Sequence, residues 1–103
     1  MIFVETSIFT EDVRRLLSDE EYSSLQWHLV AHPDAGDLIV GTGGLRKIRW
    51  KSAGRGKRGG TRVIYFHVSA HFEIRMLLIY RKGIKDNLTP AEKKILRGIN
   101  AEW

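Results

Sequence analysis

The chain has 103 residues, 43% hydrophobic and 28% charged, with a net charge of +5 and no cysteine. This length fits one domain with a modest core, and the lack of cysteine excludes a disulfide framework, a thiolate metal site and a cysteine nucleophile. No apolar run approaches the roughly 20 residues needed to span a bilayer, and residues 1–6 carry no basic leader or signal-peptide pattern, which predicts a soluble cytoplasmic protein.

In chain order, Ile2-Phe3-Val4 reads as a short strand. Ser7 or Thr10 can cap a first helix, along which Phe9, Val13, Leu16 and Leu17 recur at helical spacing. Ser18 and Glu21 match a capping box, in which each side chain satisfies a free amide of the first turn. Tyr22, Leu25 and Leu29 continue the apolar stripe until Pro33 stops the helix near His32. Residues 7–31 therefore predict a helical hairpin. Residues 34–44 are turn-rich. Strands are expected over 45–51, 61–68 and 72–80, with a glycine-rich basic loop over 52–60 and a turn at Ser69-Ala70-His71. Such short connections imply antiparallel neighbours. Thr89-Pro90-Ala91-Glu92 is a strong helix start, followed by an Ile95, Leu96 and Ile99 stripe. The order β-α-α-β-β-β-α predicts one α+β domain over residues 1–103.

Charge is segregated along this order. The first 43 residues hold 2 basic and 8 acidic side chains; from Gly44 to Lys82 there are 11 basic and 1 acidic. Separation this strong implies a polyanion-facing surface. Alternation along the 45–51 strand puts Arg46, Ile48 and Trp50 on one face and Lys47, Arg49 and Lys51 on the other. A row of cations is a poor core and a good phosphate platform.

Several motifs carry less than their spacing suggests. Gly54-Arg55-Gly56-Lys57-Arg58-Gly59 has dinucleotide-binding spacing, but a strand follows it where that motif needs a helix, and Gly60 stands where a P-loop has lysine. The loop reads as a cationic grip on nucleic-acid backbone or as a plain hairpin loop. His28 and His32 sit four apart on a helix without a third ligand, which fits a surface pair better than a metal site. His67 and His71 flank a turn and titrate near neutrality, so either is a candidate base, although a structural role suits both as well. Trp27, Trp50 and Trp103 can stack on bases; core or interface packing is the simpler reading of each.

The runs Gly41-Thr42-Gly43-Gly44-Leu45-Arg46-Lys47-Ile48-Arg49, Gly56-Lys57-Arg58-Gly59-Gly60-Thr61-Arg62-Val63-Ile64-Tyr65 and Leu78-Ile79-Tyr80-Arg81-Lys82, in that order, resemble the RelE superfamily of bacterial toxins, most closely its HigB-type branch. The resemblance extends over almost the whole chain. It implies a curved antiparallel sheet with helices on one side. It also implies the toxin of a type II toxin–antitoxin system, a ribosome-dependent endoribonuclease that cuts mRNA in the A site and so inhibits translation. The implied partners are a cognate antitoxin with a helix-turn-helix domain, the ribosome and mRNA, with operator DNA reached only through the antitoxin complex and no membrane.

The implied chemistry needs neither metal nor cofactor. The ribose 2′-hydroxyl attacks the adjacent phosphate, a dianionic phosphorane forms and the 5′-oxygen leaves. Cations stabilise the phosphorane, and a lysine can act as base when neighbouring cations lower its pKa. By this resemblance the catalytic candidates are Arg62, Lys82, Tyr80, Lys47 and Arg49, with Arg62 gripping the scissile phosphate. Lys51, Arg55, Lys57, Arg58 and Arg81 are candidates for binding RNA or the ribosome. Some relatives have a catalytic tyrosine after the last strand; Leu88 stands at that position here, so Tyr80, Lys82 or a histidine must take its work. Two other readings stay open: a ParE-like gyrase poison on the same fold, and an RNA-binding module without catalysis.

Overall fold

Thr6 starts the first helix. Its backbone is extended, and its Oγ1 accepts a hydrogen bond from the Phe9 amide at 3.1 Å, one residue earlier than the caps expected at Ser7 or Thr10. In the computed structural model, which describes residues 1–51, 60–83 and 87–103, the elements run β1 (Ile2–Glu5), α1 (Ser7–Leu16), α2 (Asp19–Ala31), β2 (Asp37–Leu38), β3 (Arg46–Trp50), β4 (Thr61–Val68), β5 (Glu73–Arg81) and α3 (Pro90–Ala101). Both expected capping boxes form, Ser18 with Glu21 at α2 and Thr89 with Glu92 at α3. Each is worth about 1 kcal/mol relative to an alanine cap.

One five-stranded sheet joins the strands in the order β1-β5-β4-β3-β2. All pairings are antiparallel except β1 with β5, which is parallel; the helical hairpin after β1 carries the chain away before it can fold straight back. β2 had no counterpart in the sequence-based reading. It is two residues long, pairing Asp37 with Lys47 and Leu38 with Arg46, too short to show a period.

The sheet separates two cores. On one face Ile48, Val63, Tyr65, Ile74, Met76 and Ile79 pack under Phe9, Val13, Leu16, Leu17, Leu25 and Leu29 of the α1–α2 hairpin. On the other, Leu45, Ile64, Leu77 and Tyr80 pack with Leu88 and with Leu96 of α3. Helices thus cover both faces, and the expectation of helices on one side is wrong. The physical reason lies in β4 and β5: both carry apolar residues at successive positions, so each face needs its own cover.

A bulge in β5 sets which residues share a face. Ile64 pairs with Leu78, but Tyr65 pairs with Met76, leaving Leu77 as the extra residue. Strict alternation from Ile74 and Met76 would put Leu78 and Tyr80 beside them under α1. The bulge reverses the phase, so Ile79 takes that side and Tyr80 turns to the opposite one. Thr6 holds the irregularity in place: its amide donates to the Met76 carbonyl at 3.0 Å and its hydroxyl to the Leu77 carbonyl at 2.9 Å.

Two further networks fix the connections. The buried Tyr65 hydroxyl donates to the Pro33 carbonyl (2.8 Å) and accepts from the Gly36 amide (2.9 Å). Asp34 meets His67 at 3.0 Å and Arg46 at 3.6 Å. At the far end of the sheet, Arg75 pairs with Glu73 at 2.9 Å, donates to the backbone and side-chain oxygens of Asn100, and lies over the Phe66 and Trp103 rings. Arg75 thereby ties the end of α3 to the sheet.

Candidate active site

Arg49, Arg62 and Tyr80 form one row across three strands. Arg49 is directly opposite Arg62 on β3 and β4, and Arg62 is directly opposite Tyr80 on β4 and β5. Directly opposed residues point to the same face with Cβ atoms about 4.5–5.5 Å apart. The next row is Lys47, Ile64 and Leu78, which adds Lys47 beside Arg49 and an apolar floor that continues to α3. Two arginines directly opposite each other repel, and such a pair costs the sheet stability. An anion between the two guanidiniums removes that cost, because planar forks match phosphate oxygens.

The two arginines are not equivalent. Arg62 is only 6% exposed and is engaged by other groups of the protein, whereas Arg49 is exposed. Arg62, the arginine that opens the strand, is a fixed floor group, and Arg49 is the exposed arm above it. Burial in surroundings of low dielectric strengthens any interaction Arg62 makes with an anion. Tyr80 is buried beside Leu88 and Leu96. Leu88, at the position where some relatives carry a tyrosine, is therefore a wall of the pocket that holds Tyr80.

Gly60 sets the start of β4, two residues before Arg62. Its φ is +57°, and a Cβ there would stand 2.5 Å from the Trp50 carbonyl oxygen, so only glycine fits so close to β3. The Gly60 carbonyl accepts from the Lys82 amide at 3.1 Å, and the Thr61 hydroxyl donates to the Trp50 carbonyl at 2.9 Å. Lys82 is exposed just past the end of β5, beside this junction.

The remaining candidates divide. Lys51 is exposed at the end of β3. Arg81 pairs with Thr61 and faces the α1 side, where it lines a groove with Asp12, Arg15, Leu16, Ile79 and Tyr80; the arginine row does not include it. Arg55, Lys57 and Arg58 lie outside the described residues. His67 is engaged by Asp34 and His71 is exposed in the turn. His28 and His32 touch one another with ring centroids 5.4 Å apart, His28 also meets Trp50 at 5.3 Å, and no cluster suited to a metal occurs among the described residues. Trp27 is 71% exposed, which removes the core half of the core-or-interface packing expected for it.

One feature escaped the sequence-based reading. A groove of about 440 Å3 runs along β3, between Arg49, Trp50 and Lys51 on one wall and Glu20, Glu21 and Ser24 of α2 on the other. The signal was present in the i, i+4 spacing of Glu20 and Ser24, but nothing in the sequence says that this face of α2 meets β3.

No protein-family model matches the chain. Solved structures do resemble it. A double arginine-to-alanine mutant of E. coli toxin RelE in the free state aligns over 82% of this chain and 85% of its own, with a TM-score of 0.58 and 16% identity. A chain of the intact E. coli RelBE toxin–antitoxin complex aligns over 78% of this chain and 94% of its own, with a TM-score of 0.59 and 15% identity. The isolated E. coli RelE toxin covers 95% and 97%, with a TM-score of 0.58 and 14% identity. With its mixed sheet, its helices and this near-complete two-way coverage, the chain has the RelE toxin fold.

Proposed function

We propose that the protein is the toxin of a type II toxin–antitoxin pair and that it cleaves mRNA on the ribosome, in the manner of the HigB-type branch. The observation that carries this reading is the Arg49–Arg62–Tyr80 row. A sheet that sets two guanidiniums opposite each other, one buried and one exposed, is built for an anion with several oxygens. A scissile phosphodiester is such an anion, and it gains negative charge as the phosphorane forms.

In this reading Arg62 holds a non-bridging oxygen from below and Arg49 closes from the exposed side. Fixed cations aimed at developing charge stabilise the transition state more than the ground state, which is what accelerates the step. Tyr80 within the row and Lys82 and Lys47 beside it supply the groups that remove the 2′-hydroxyl proton and protonate the leaving 5′-oxygen. Lys51 extends the basic surface along the RNA, and Arg81, on the α1 side, is left to meet the ribosome. The ribosome contributes by bending the message so that the 2′-hydroxyl lines up with its phosphate. The partner in the RelBE complex supports a cognate antitoxin here, and a positively charged row attracts an acidic antitoxin segment quickly.

Toeprinting on a translated message tests the reading. The parent protein should give discrete A-site cuts, and Arg62→Ala should abolish them together with growth inhibition. Intact message with damaged DNA would make the protein a gyrase poison; salt-dependent RNA binding without cuts would make it a binding module.

A further inference from the structure

The groove along β3 differs from the arginine row in its polarity. One wall carries the cations Arg49 and Lys51 around the Trp50 indole, the other the carboxylates of Glu20 and Glu21 with the Ser24 hydroxyl. Opposite charges face each other here, yet among the described residues no ion pair joins the two walls. The walls are fixed apart. Glu21 Oε1 accepts from the Ser18 amide at 2.7 Å in the capping box, and the Glu21 carbonyl accepts from Trp50 Nε1 at 3.1 Å. That second bond locks the first turn of α2 to β3, and the His28 ring packs against Trp50 with centroids 5.3 Å apart. Beyond Lys47, β3 has no partner strand on this side among the described residues, so the groove opens at the sheet edge.

We propose that this groove is a nucleobase subsite, taking from the RNA strand a base that bears an exocyclic amino group. The inference rests on the nuclease reading above and assigns part of its substrate preference to named residues. Arg49 belongs both to the phosphate row and to the groove, so a strand with its phosphate on Arg49 can turn its adjoining base over the edge of β3. The bipolar groove matches a nucleotide end to end: phosphate on the Arg49 and Lys51 wall, base against Trp50, amino group toward the carboxylate wall. Glu21 has one oxygen committed to its cap, so Glu20 is the reader. It is exposed, and it shares a helix face with Ser24 one turn later. A carboxylate accepts from the amino groups of cytosine, adenine or guanine and repels the carbonyl that uracil presents in that place.

The test is a titration of the ¹⁵N-labelled protein with AMP, CMP, GMP and UMP, following the Trp50 indole N–H and the Ser24 and Lys51 amides. The amino-bearing nucleotides should shift these signals and bind about tenfold tighter than UMP. Glu20→Gln, whose amide can both donate and accept, should bring UMP level with the others and should move the parent's A-site cuts toward uridine-containing codons. The inference is overturned if no nucleotide shifts these signals, if all four bind the parent alike, or if a lysine-rich peptide occupies the groove more tightly than any nucleotide. Ribosome-dependent cleavage by a parent whose groove ignores nucleotides would sink this proposal alone; selective nucleotide binding without cleavage would sink the nuclease reading alone.

Discussion

Arg62 and Val63 are adjacent in β4, and both are almost fully buried. Val63 belongs with Phe9, Leu16 and Ile79 to the apolar cluster under the helical hairpin, where the demand is close packing. Arg62 lies on the other face between Arg49 and Tyr80, where burial confines a charge beside another of the same sign. The first site is optimised for folding. The second sets a buried cation, engaged by other groups of the protein, beside an exposed cation, the kind of local conflict tolerated at functional sites.

The largest effect should come from the second face. Arg62→Lys keeps the charge and gives up the planar fork, so ribosome-dependent cleavage should fall on the order of 10²-fold while the far-UV circular dichroism stays that of the parent. Cleavage within threefold of the parent would mean that the row is not the reaction centre. On the first face, Phe9→Ala should cost about 3–5 kcal/mol in urea unfolding and leave cleavage per folded molecule unchanged, since Phe9 packs away from the row. A matching loss of specific activity would show the faces to be coupled.

A smaller effect is expected where a polar group serves the core. Tyr65→Phe removes the partner of the Gly36 amide and should cost about 1–3 kcal/mol. The loop over residues 33–37 should lose amide-exchange protection first. The smallest effect is visible only in alkali. Burial, reinforced by the hydrogen bond to the Glu5 carboxylate, pushes the Tyr22 phenol well above its usual range. Its folded form stays protonated when the unfolded chain ionises near the ordinary value of about 10. The stability this gives is complete below that pH and falls as pH rises past it toward the folded value. Tyr22→Phe should therefore flatten the fall in melting temperature above about pH 10, and an unchanged slope would assign it to other groups.

Much of this was legible in the sequence because local chemistry declares itself. The capping boxes at Ser18 and Thr89, the bounds of β4 and the cation row of Lys47, Arg49 and Lys51 follow from spacing and alternation. Thr6 went unrecognised as a cap since Ser7 and Thr10 offered the same chemistry. The parallel place of β1, the cover of both faces and the burial of Arg62 depend on which elements meet, and no local pattern encodes that. The groove between Glu20 and Trp50 was hidden for the same reason, because its walls are about 30 residues apart in the chain.

Leu77 carries a consequence for the length of β5. Each residue C-terminal to it owes its orientation to one surplus position, stabilised by a threonine more than 70 residues upstream. Straighten the bulge with every residue kept and Tyr80 trades places with its neighbour: Ile79 would come opposite Arg62, beside the two guanidiniums, and the phenol would be driven under the first helix. Spacing is here as decisive as side-chain identity: a one-residue slip of β5 that absorbs the bulge and keeps every charged group would dismantle the row as thoroughly as loss of an arginine.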